Sequence, residues 1–464
     1  MEVRGSTGVI RLRTSAATGA VAIDGNLYTL LAHARSFVVQ HGHSMKHGQS
    51  TPPHAILATV GTDGDIYPFL ALGQVLRARG YRVTLATHEH FASKAAAADL
   101  EFCALVSHAE NEVLLENPDL WHPVKSPVVI ARWGVQFLER QYHQLRKLAQ
   151  EPHSFLVAGI GVIAARVVQE KHGVNLASVV LQPWTVASND APPTMMPGLT
   201  LPRWAPQPIK NLYWRGVDQI GLCLMGKELN SLRASLDLPP VKRVFRWWNS
   251  PQLVIGFFPE WYGPPQGDWI PQLRLAGFPG GHSHSKSVIA EETTRFCEAG
   301  PPPVAFTFGT GMRHAHELFR QAVAACQSLG VRGIFITQSP DQLPHPLPPS
   351  ILHCAFAPFR NLFPRCAAVV HHGGIGTTAD ALASGTPQLI LPFAFDQLDN
   401  AQRVHKLGVG HFLKASRRTQ ARIADRLGTL LAPEIMARAK ALAANSFHQN
   451  GLEKAAEMLA TLHR

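Results

Sequence analysis

Beyond Pro53 the chain alternates short apolar runs with amphipathic stretches. HAILATV, from His54, is an apolar run of strand length, and GTDGDIYP, from Gly61, is a polar glycine turn. FLALGQVLRARG, from Phe69, carries apolar residues at helical spacing and stops at Gly80. YRVTLATH then reads as a second strand, rich in β-branched residues. A strand, loop, helix, strand unit of this kind predicts a parallel sheet. The pattern recurs at SFLVAGIG, a helix through AARVVQEKHG, and LASVVLQPW. Between Pro192 and Pro208 prolines crowd the chain, which predicts a long irregular loop of the kind that shapes a substrate pocket.

A second series begins later. PPVAFTFGTG reads as strand then glycine loop, AHELFRQAVAACQSLG as helix, and VRGIFITQ as strand. ILHCAFAP follows, then CAAVV running into HHGGIGTT, the helix TADALASG and the strand QLILP. The expected architecture is therefore α/β, with two Rossmann-like parallel-sheet domains facing each other across a cleft, residues 54–279 and 288–464. Gly280 to Ser287, rich in glycine, serine and histidine, is the expected linker. Ligands of such sheets bind at the carboxyl ends of the strands, where both glycine loops fall.

Residues 1–53 differ. They hold only Glu2 and Asp24 as acids and no clear alternation, and a disordered extension is expected, with Met45 a natural beginning for the domain. They lack the compact basic start and apolar centre of a secretory signal. The formal charge of +11 comes from scattered basic residues with no block of five or six, which favours a general pull on anionic ligands over a nucleic-acid face. Six cysteines lie far apart without a Cys-x-x-Cys pair, as reduced thiols of a cytoplasmic protein do. FLVAGIGVIAARVV is broken by glycines and Arg166 before it reaches the roughly 20 residues of a membrane span.

HHGGIGTT, residues 371–378, admits three readings: metal site, phosphate cradle or plain turn. Adjacent histidines on a turn rarely converge on one metal, and no Cys, Asp or Glu stands nearby at ligand spacing. Three glycines and two threonines opening a helix supply bare N–H groups, hydroxyls and the positive end of the dipole, which suits a phosphate. No lysine follows, so it is not a Walker loop, nor is it a G-x-G-x-x-G fingerprint. Downstream, Asp396 and Gln397 in PFAFDQLDNAQR form a carboxylate and amide pair suited to sugar hydroxyls.

The stretch from Phe356 to Arg403 resembles the donor-binding signature of nucleotide-sugar-dependent glycosyltransferases with the GT-B fold, a family that acts on macrolides, glycopeptides, sterols and flavonoids; GTDGDIYPFLALGQVLRARGYRVTLAT resembles their opening. The resemblance covers residues 54–460 and implies a C-terminal helix returning toward the first domain. It implies that Phe356 stacks on the nucleobase, the Ala357 backbone bonds its edge, and His372, Gly374, Gly376, Thr377 and Thr378 hold the diphosphate, with Thr310 closing over it. Asp380 stands where many relatives place a ribose-binding glutamate, and Asp396 and Gln397 would bind the sugar. Asp65 takes the place of the general base of antibiotic-type relatives, with Asp63 its rival and helix capping the alternative for either. His371 is expected to pack, and no metal or cofactor beyond the nucleotide sugar is implied.

PPVKRVFRWWNSPQ, LAGFPG, VRGIFITQ and FFPEWYGPPQGDW resemble most the rhamnosyltransferase chains of rhamnolipid biosynthesis. That implies transfer from dTDP-L-rhamnose to a 3-(3-hydroxyalkanoyloxy)alkanoate, after a separate acyl-joining enzyme, in the cytoplasm or peripherally at the inner membrane face. Among Trp121, Trp133, Phe137, Trp184, Trp247, Trp248 and Trp261, Trp184 is the best placed to line an apolar acceptor pocket. UDP-glucose-dependent glucosylation of a sterol, flavonoid or macrolide is the alternative in the same class; an epimerase or a non-catalytic nucleotide-sugar-binding partner are those outside it.

Overall fold

The computed structural model describes residues 52–195, 200–280, 288–447 and 450–462, together with the backbone of three short strands nearer the start. Those strands, β1 (Glu2–Gly5), β2 (Gly8–Thr14) and β3 (Val21–Ile23), pair antiparallel in the order 1-2-3. Where the sequence reading had only a disordered extension, the β-branched run Val9–Ile10 lies in a paired strand. Residues 1–51 form one unit and 52–464 another. The proposed linker lies outside the described residues apart from Gly280.

Within the second unit are two all-parallel sheets. The first comprises β4 (His54–Ala58), β5 (Arg82–His88), β6 (Glu101–Val106), β7 (Ser154–Gly159), β8 (Leu176–Val180), β9 (Leu253–Gly256) and β10 (Leu273–Leu275), in the order 10-9-8-7-4-5-6. The second comprises β11 (Val304–Thr307), β12 (Gly333–Ile336), β13 (Ile351–Cys354), β14 (Ala368–His371), β15 (Gln388–Ile390) and β16 (Gly410–Phe412), in the order 13-12-11-14-15-16. Strands β4, β7, β11 and β14 are buried along almost their whole length, as strands covered by helices on both faces must be.

Strand order reverses at β4, which lies between β5 and β7, and at β11, which lies between β12 and β14. A doubly wound sheet opens a crevice at that point. The loops after β4 and β11 are therefore the two places where the topology itself makes room for a ligand.

The helix after β4 begins at Asp63, earlier than the apolar spacing predicts, and runs to Ala78 with Pro68 inside it. A capping box sets the start: the Asp65 carboxylate reaches back to the Thr62 backbone. The helix Gln207–Ser235, 29 residues long, was not legible in the apolar spacing. Its exposed face carries Ile209, Leu212 and Ile220, which blurs the two-sided pattern that marks a surface helix.

The chain ends in the helix Gly451–Ala460, which crosses back to the first domain and buries Leu452, Ala455, Ala456 and Leu459 completely in its core. Burial of the two leucines contributes roughly 1.5–3 kcal/mol each. Arg79 pairs with Glu453 at 2.5 Å across the same contact. Among the described residues no helix is long and apolar enough to cross a membrane.

Candidate active site

Strand register brings the glycine loops together. Thr307, the last residue of β11, pairs with His371, the last of β14, so Phe308–Met312 and His372–Gly374 leave the sheet side by side. His371 is fully buried; its Nδ1 accepts from the Gly373 N–H at 3.1 Å and its Nε2 donates to Gln388 Oε1 at 2.9 Å. Both nitrogens are used to brace the turn, and burial pushes its pKa down to about 3. Gly373 has φ +97°, and a Cβ there would lie 2.7 Å from Ile390 Cγ2 and 3.0 Å from the Gln397 carbonyl. Only glycine fits both the conformation and the space.

His372 sits between two further glycines. A Cβ on Gly374 would stand 2.5 Å from its Nε2, and one on Gly309 3.1 Å from its Cε1. Burial lowers its pKa to about 4 against the opposing pull of a bond to the Thr307 backbone, so the ring is neutral at physiological pH.

Gly374 is the N-cap of the helix Ile375–Ala383, which has no side-chain cap, and the N–H groups of Ile375, Gly376 and Thr377 have no partner within the helix by position. A Cβ on Gly376 would meet nothing within 4 Å. An uncapped helix start with open space at its second residue is a natural anion seat. Thr378 is different from expectation: it is fully buried and its hydroxyl donates to the Gly374 carbonyl at 2.9 Å, which makes it a brace of the helix and not a donor to a ligand.

Asp380 is paired: Arg360 Nε donates to its Oδ1 at 2.6 Å. Phe356, just past β13 at the edge of the sheet, is 48% exposed, uncommon for a ring of that size, and Ala357 beside it is buried. Thr310 is exposed on the loop after β11.

Past β15, Gln397 is buried and its Oε1 accepts from the N–H groups of Phe393, at 2.7 Å, and Ala394, at 3.2 Å. Its oxygen therefore holds the loop, leaving the amide nitrogen as the end for a ligand. Asp396 is lifted to about pH 7, first by burial and then by the charge of Asp65, which reaches it from the other domain.

Asp65 stands on the first-domain wall. Its Oδ2 accepts from the Thr62 N–H at 2.8 Å and from the Thr62 hydroxyl at 3.1 Å, so capping occupies one oxygen and leaves Oδ1. Burial raises its pKa against the pull of those bonds, and the Asp63 charge adds to the rise. Asp63 itself opens the helix as its first residue. Gly61, with φ +137°, approaches the Asp65 carboxylate too closely for any side chain.

His88 was missed by sequence reasoning. Fully buried at the end of β5, it accepts the Gly61 N–H on Nε2 at 3.0 Å and stacks on Trp133 at 6.1 Å between ring centres. Its pKa falls to about 4 through burial, so the proton rides on Nδ1, which is buried without a partner among the described residues, as is Thr87 Oγ1. Trp121 bridges the cleft: its indole N–H donates to the Gly311 carbonyl at 3.2 Å and its ring meets Phe395 edge-on. Trp184 donates to the Thr194 carbonyl at 3.1 Å, and the Thr194 N–H donates to Asp399 in the second domain, so Trp184 steadies a domain contact. Trp247 and Trp261 are packed elsewhere, against Arg233 and Phe278.

Among the described residues no cluster of three or more His, Cys, Asp or Glu side chains is arranged to hold a metal. A cavity of about 470 Å³ lined by Arg77, Gly80, Arg82 and Glu101 opens at the amino ends of β5 and β6, the opposite end of that sheet from these loops.

Comparison with known proteins agrees with this fold. Residues 55–188 match the glycosyltransferase family 28 N-terminal domain, and residues 333–459 the erythromycin biosynthesis protein CIII-like C-terminal domain. Glycosyltransferase GtfE of Amycolatopsis orientalis is 29% identical over 419 residues, covering 87% of this chain and 96% of that protein. The vancomycin aglycone glucosyltransferase of the same organism is 28% identical over 409 residues, with the same two coverages. The fold is also that of the spinosyn rhamnosyltransferase SpnG, solved with thymidine diphosphate: TM-score 0.61, 17% identity, 89% of this chain and all of that one. The chain is a nucleotide-sugar-dependent glycosyltransferase with the GT-B fold, similar to the family 28 N-terminal domain over residues 55–188 and to the erythromycin CIII-like C-terminal domain over residues 333–459.

Proposed function

We propose that this enzyme is an inverting glycosyltransferase that moves L-rhamnose from dTDP-L-rhamnose to the hydroxyl of a 3-(3-hydroxyalkanoyloxy)alkanoate. The observation that carries the inverting reading is a carboxylate, Asp65, with one oxygen uncommitted on the first-domain wall, and an uncapped helix start at Gly374 on the second. Asp65 Oδ1 takes the acceptor proton while the acceptor oxygen bonds to the anomeric carbon from the face opposite the diphosphate. The anomeric C–O bond breaks with its electron pair leaving on the diphosphate, whose growing charge is met by the N–H groups of Ile375, Gly376 and Thr377 and by the neutral His372 ring. A raised pKa makes Asp65 a stronger base than an exposed aspartate. Asp396 and the Gln397 amide nitrogen hold sugar hydroxyls, and Phe356 offers its face to the base.

The fold shared with a rhamnosyltransferase solved with thymidine diphosphate supports the donor, and the resemblance of FFPEWYGPPQGDW and LAGFPG to rhamnolipid-forming chains supports the acceptor. Such an acceptor fits an enzyme working in the cytoplasm or peripherally at the inner membrane face, downstream of an acyl-joining enzyme. A second reading, glucosylation of a polycyclic aglycone from UDP-glucose, is favoured by the likeness to a vancomycin aglycone glucosyltransferase. Incubation of dTDP-L-rhamnose and UDP-glucose, each with a hydroxyalkanoyloxyalkanoate and a flavonoid, separates them by product mass. The proposal predicts a rhamnosyl lipid; glucosylated flavonoid alone supports the second reading, and donor consumed without acceptor rejects both in favour of an epimerase.

A further inference from the structure

The sugar-facing carboxylate does not stand alone. Asn400, fully buried one turn into the helix Gln397–Lys406, donates from Nδ2 to Asp396 Oδ2 at 2.6 Å and to the Gly373 carbonyl at 2.9 Å. Its Oδ1 accepts from the Tyr262 hydroxyl at 2.8 Å. Both amide protons and the oxygen are thereby engaged, and the orientation is fixed: flipping the amide would turn its NH2 toward the tyrosine hydroxyl and leave two acceptors unserved. Tyr262 belongs to the first domain, between β9 and β10, whereas Asn400, Asp396 and Gly373 belong to the second. Arg403 clamps the same tyrosine through its backbone carbonyl at 3.0 Å.

We propose that Asn400 is a positioning residue that registers the sugar-binding carboxylate against the phosphate turn, and that the Tyr262 hydroxyl, supplied by the other domain, sets the orientation of Asn400. Recognition of the donor's sugar is then coupled to the seating of one domain on the other, while recognition of its diphosphate depends mainly on the second domain. The inference rests on the donor reading above and deepens it. An ionised carboxylate is the stronger acceptor for sugar hydroxyls, and the groups that bear on Asp396 are Asn400, Asp65 from the facing loop, Tyr262, and Asp399 of its own helix, itself paired with Arg403. The Asn400 N–H favours the ionised form, so its removal raises the pH at which sugar recognition is lost.

Tyr262→Phe keeps the ring in its buried cluster and removes only the hydroxyl; Asn400→Leu replaces the amide with an apolar group of similar shape. Calorimetric titration of wild type and both variants with thymidine diphosphate and with dTDP-L-rhamnose, and with UDP and UDP-glucose, across pH 5.5 to 8.5 tests the proposal. Asn400→Leu is expected to weaken nucleotide-sugar binding about 10-fold and Tyr262→Phe about 3-fold, as loss of a buried hydrogen bond does, with free diphosphate changed less than about 2-fold in Tyr262→Phe. The acid-side midpoint of nucleotide-sugar binding should rise by about one pH unit in Asn400→Leu. Equal weakening of diphosphate and nucleotide sugar with an unmoved midpoint would reduce both residues to structural support and overturn the proposal, as would unchanged binding in both variants. Wild type binding neither pair would overturn the donor reading itself, and the inference with it.

Discussion

The wall formed by the second sheet braces its glycine turn with buried side chains and leaves helix-start N–H groups and the Gln397 amide nitrogen open. His371, Gln397 and Asn400 spend their side-chain hydrogen bonds on the turn and the loop beside it, and Gly373, Gly374 and Gly309 clear the space. The facing wall, built on the loop after β4, keeps polar atoms in reserve: Thr87 Oγ1 and His88 Nδ1 are buried without partners among the described residues, and Asp65 holds back one oxygen. A buried polar atom without a partner costs about 1–3 kcal/mol until something pairs with it. The difference matches two tasks, since a diphosphate is the same in every nucleotide sugar and can be met by fixed backbone, whereas an acceptor must be met by side chains.

The largest effect expected is from Gly373→Ala on the donor wall. Positive φ and a backbone carbonyl at 3.0 Å leave a methyl nowhere to go, so the turn itself must move. Nucleotide binding should fall more than about 100-fold and stability by about 2–4 kcal/mol, read by calorimetry and thermal denaturation. Gly376→Ala, with open space around it, should cost little stability in the same scan.

On the other wall, His88→Phe keeps the stacking on Trp133 and removes the acceptor for the Gly61 N–H. Transfer should slow about 10-fold, the cost of a displaced base loop, while donor affinity stays within about 2-fold. A matching loss of donor affinity would erase the distinction between the walls.

Asp396 sharpens the comparison through pH. Its folded pKa of about 7 lies above the unfolded value, so its contribution to stability is full in acid and is lost as pH rises through 7. Asp396→Asn removes that dependence, and above pH 8 the variant should be the more stable by up to about 4 kcal/mol, at about 1.4 kcal/mol per pKa unit. Below pH 4 the two should melt alike. The same variant should bind nucleotide sugar more weakly, stability having been exchanged for recognition.

These contrasts also account for what was legible in the sequence. The donor wall is local: HHGGIGTT and PFAFDQ carry their chemistry within a few residues, so strand, turn and helix could be read from spacing. Even there, inward-turning partners were hidden: the Thr378 hydroxyl bonds the Gly374 carbonyl four residues back, as a threonine early in a helix can, and the Arg360 that pairs with Asp380 lies twenty residues away. Tyr262 and Asn400 are 138 residues apart, and His88 and Gly61 27, distances over which no periodicity speaks. The early start of the Asp63 helix was hidden by Pro68 and by glycines that read as a turn, although the Thr62–Asp65 spacing is a capping signature.

Asp65→Asn tests the central claim most directly, because an amide oxygen can still accept the Thr62 bonds but cannot take a proton. Donor affinity and single-turnover transfer should be measured together on this variant. The account predicts affinity within about 3-fold of wild type and transfer slowed by about 10²–10⁴-fold, the range of general-base catalysis. Transfer at the wild-type rate would remove Asp65 as the base and with it the proposed mechanism.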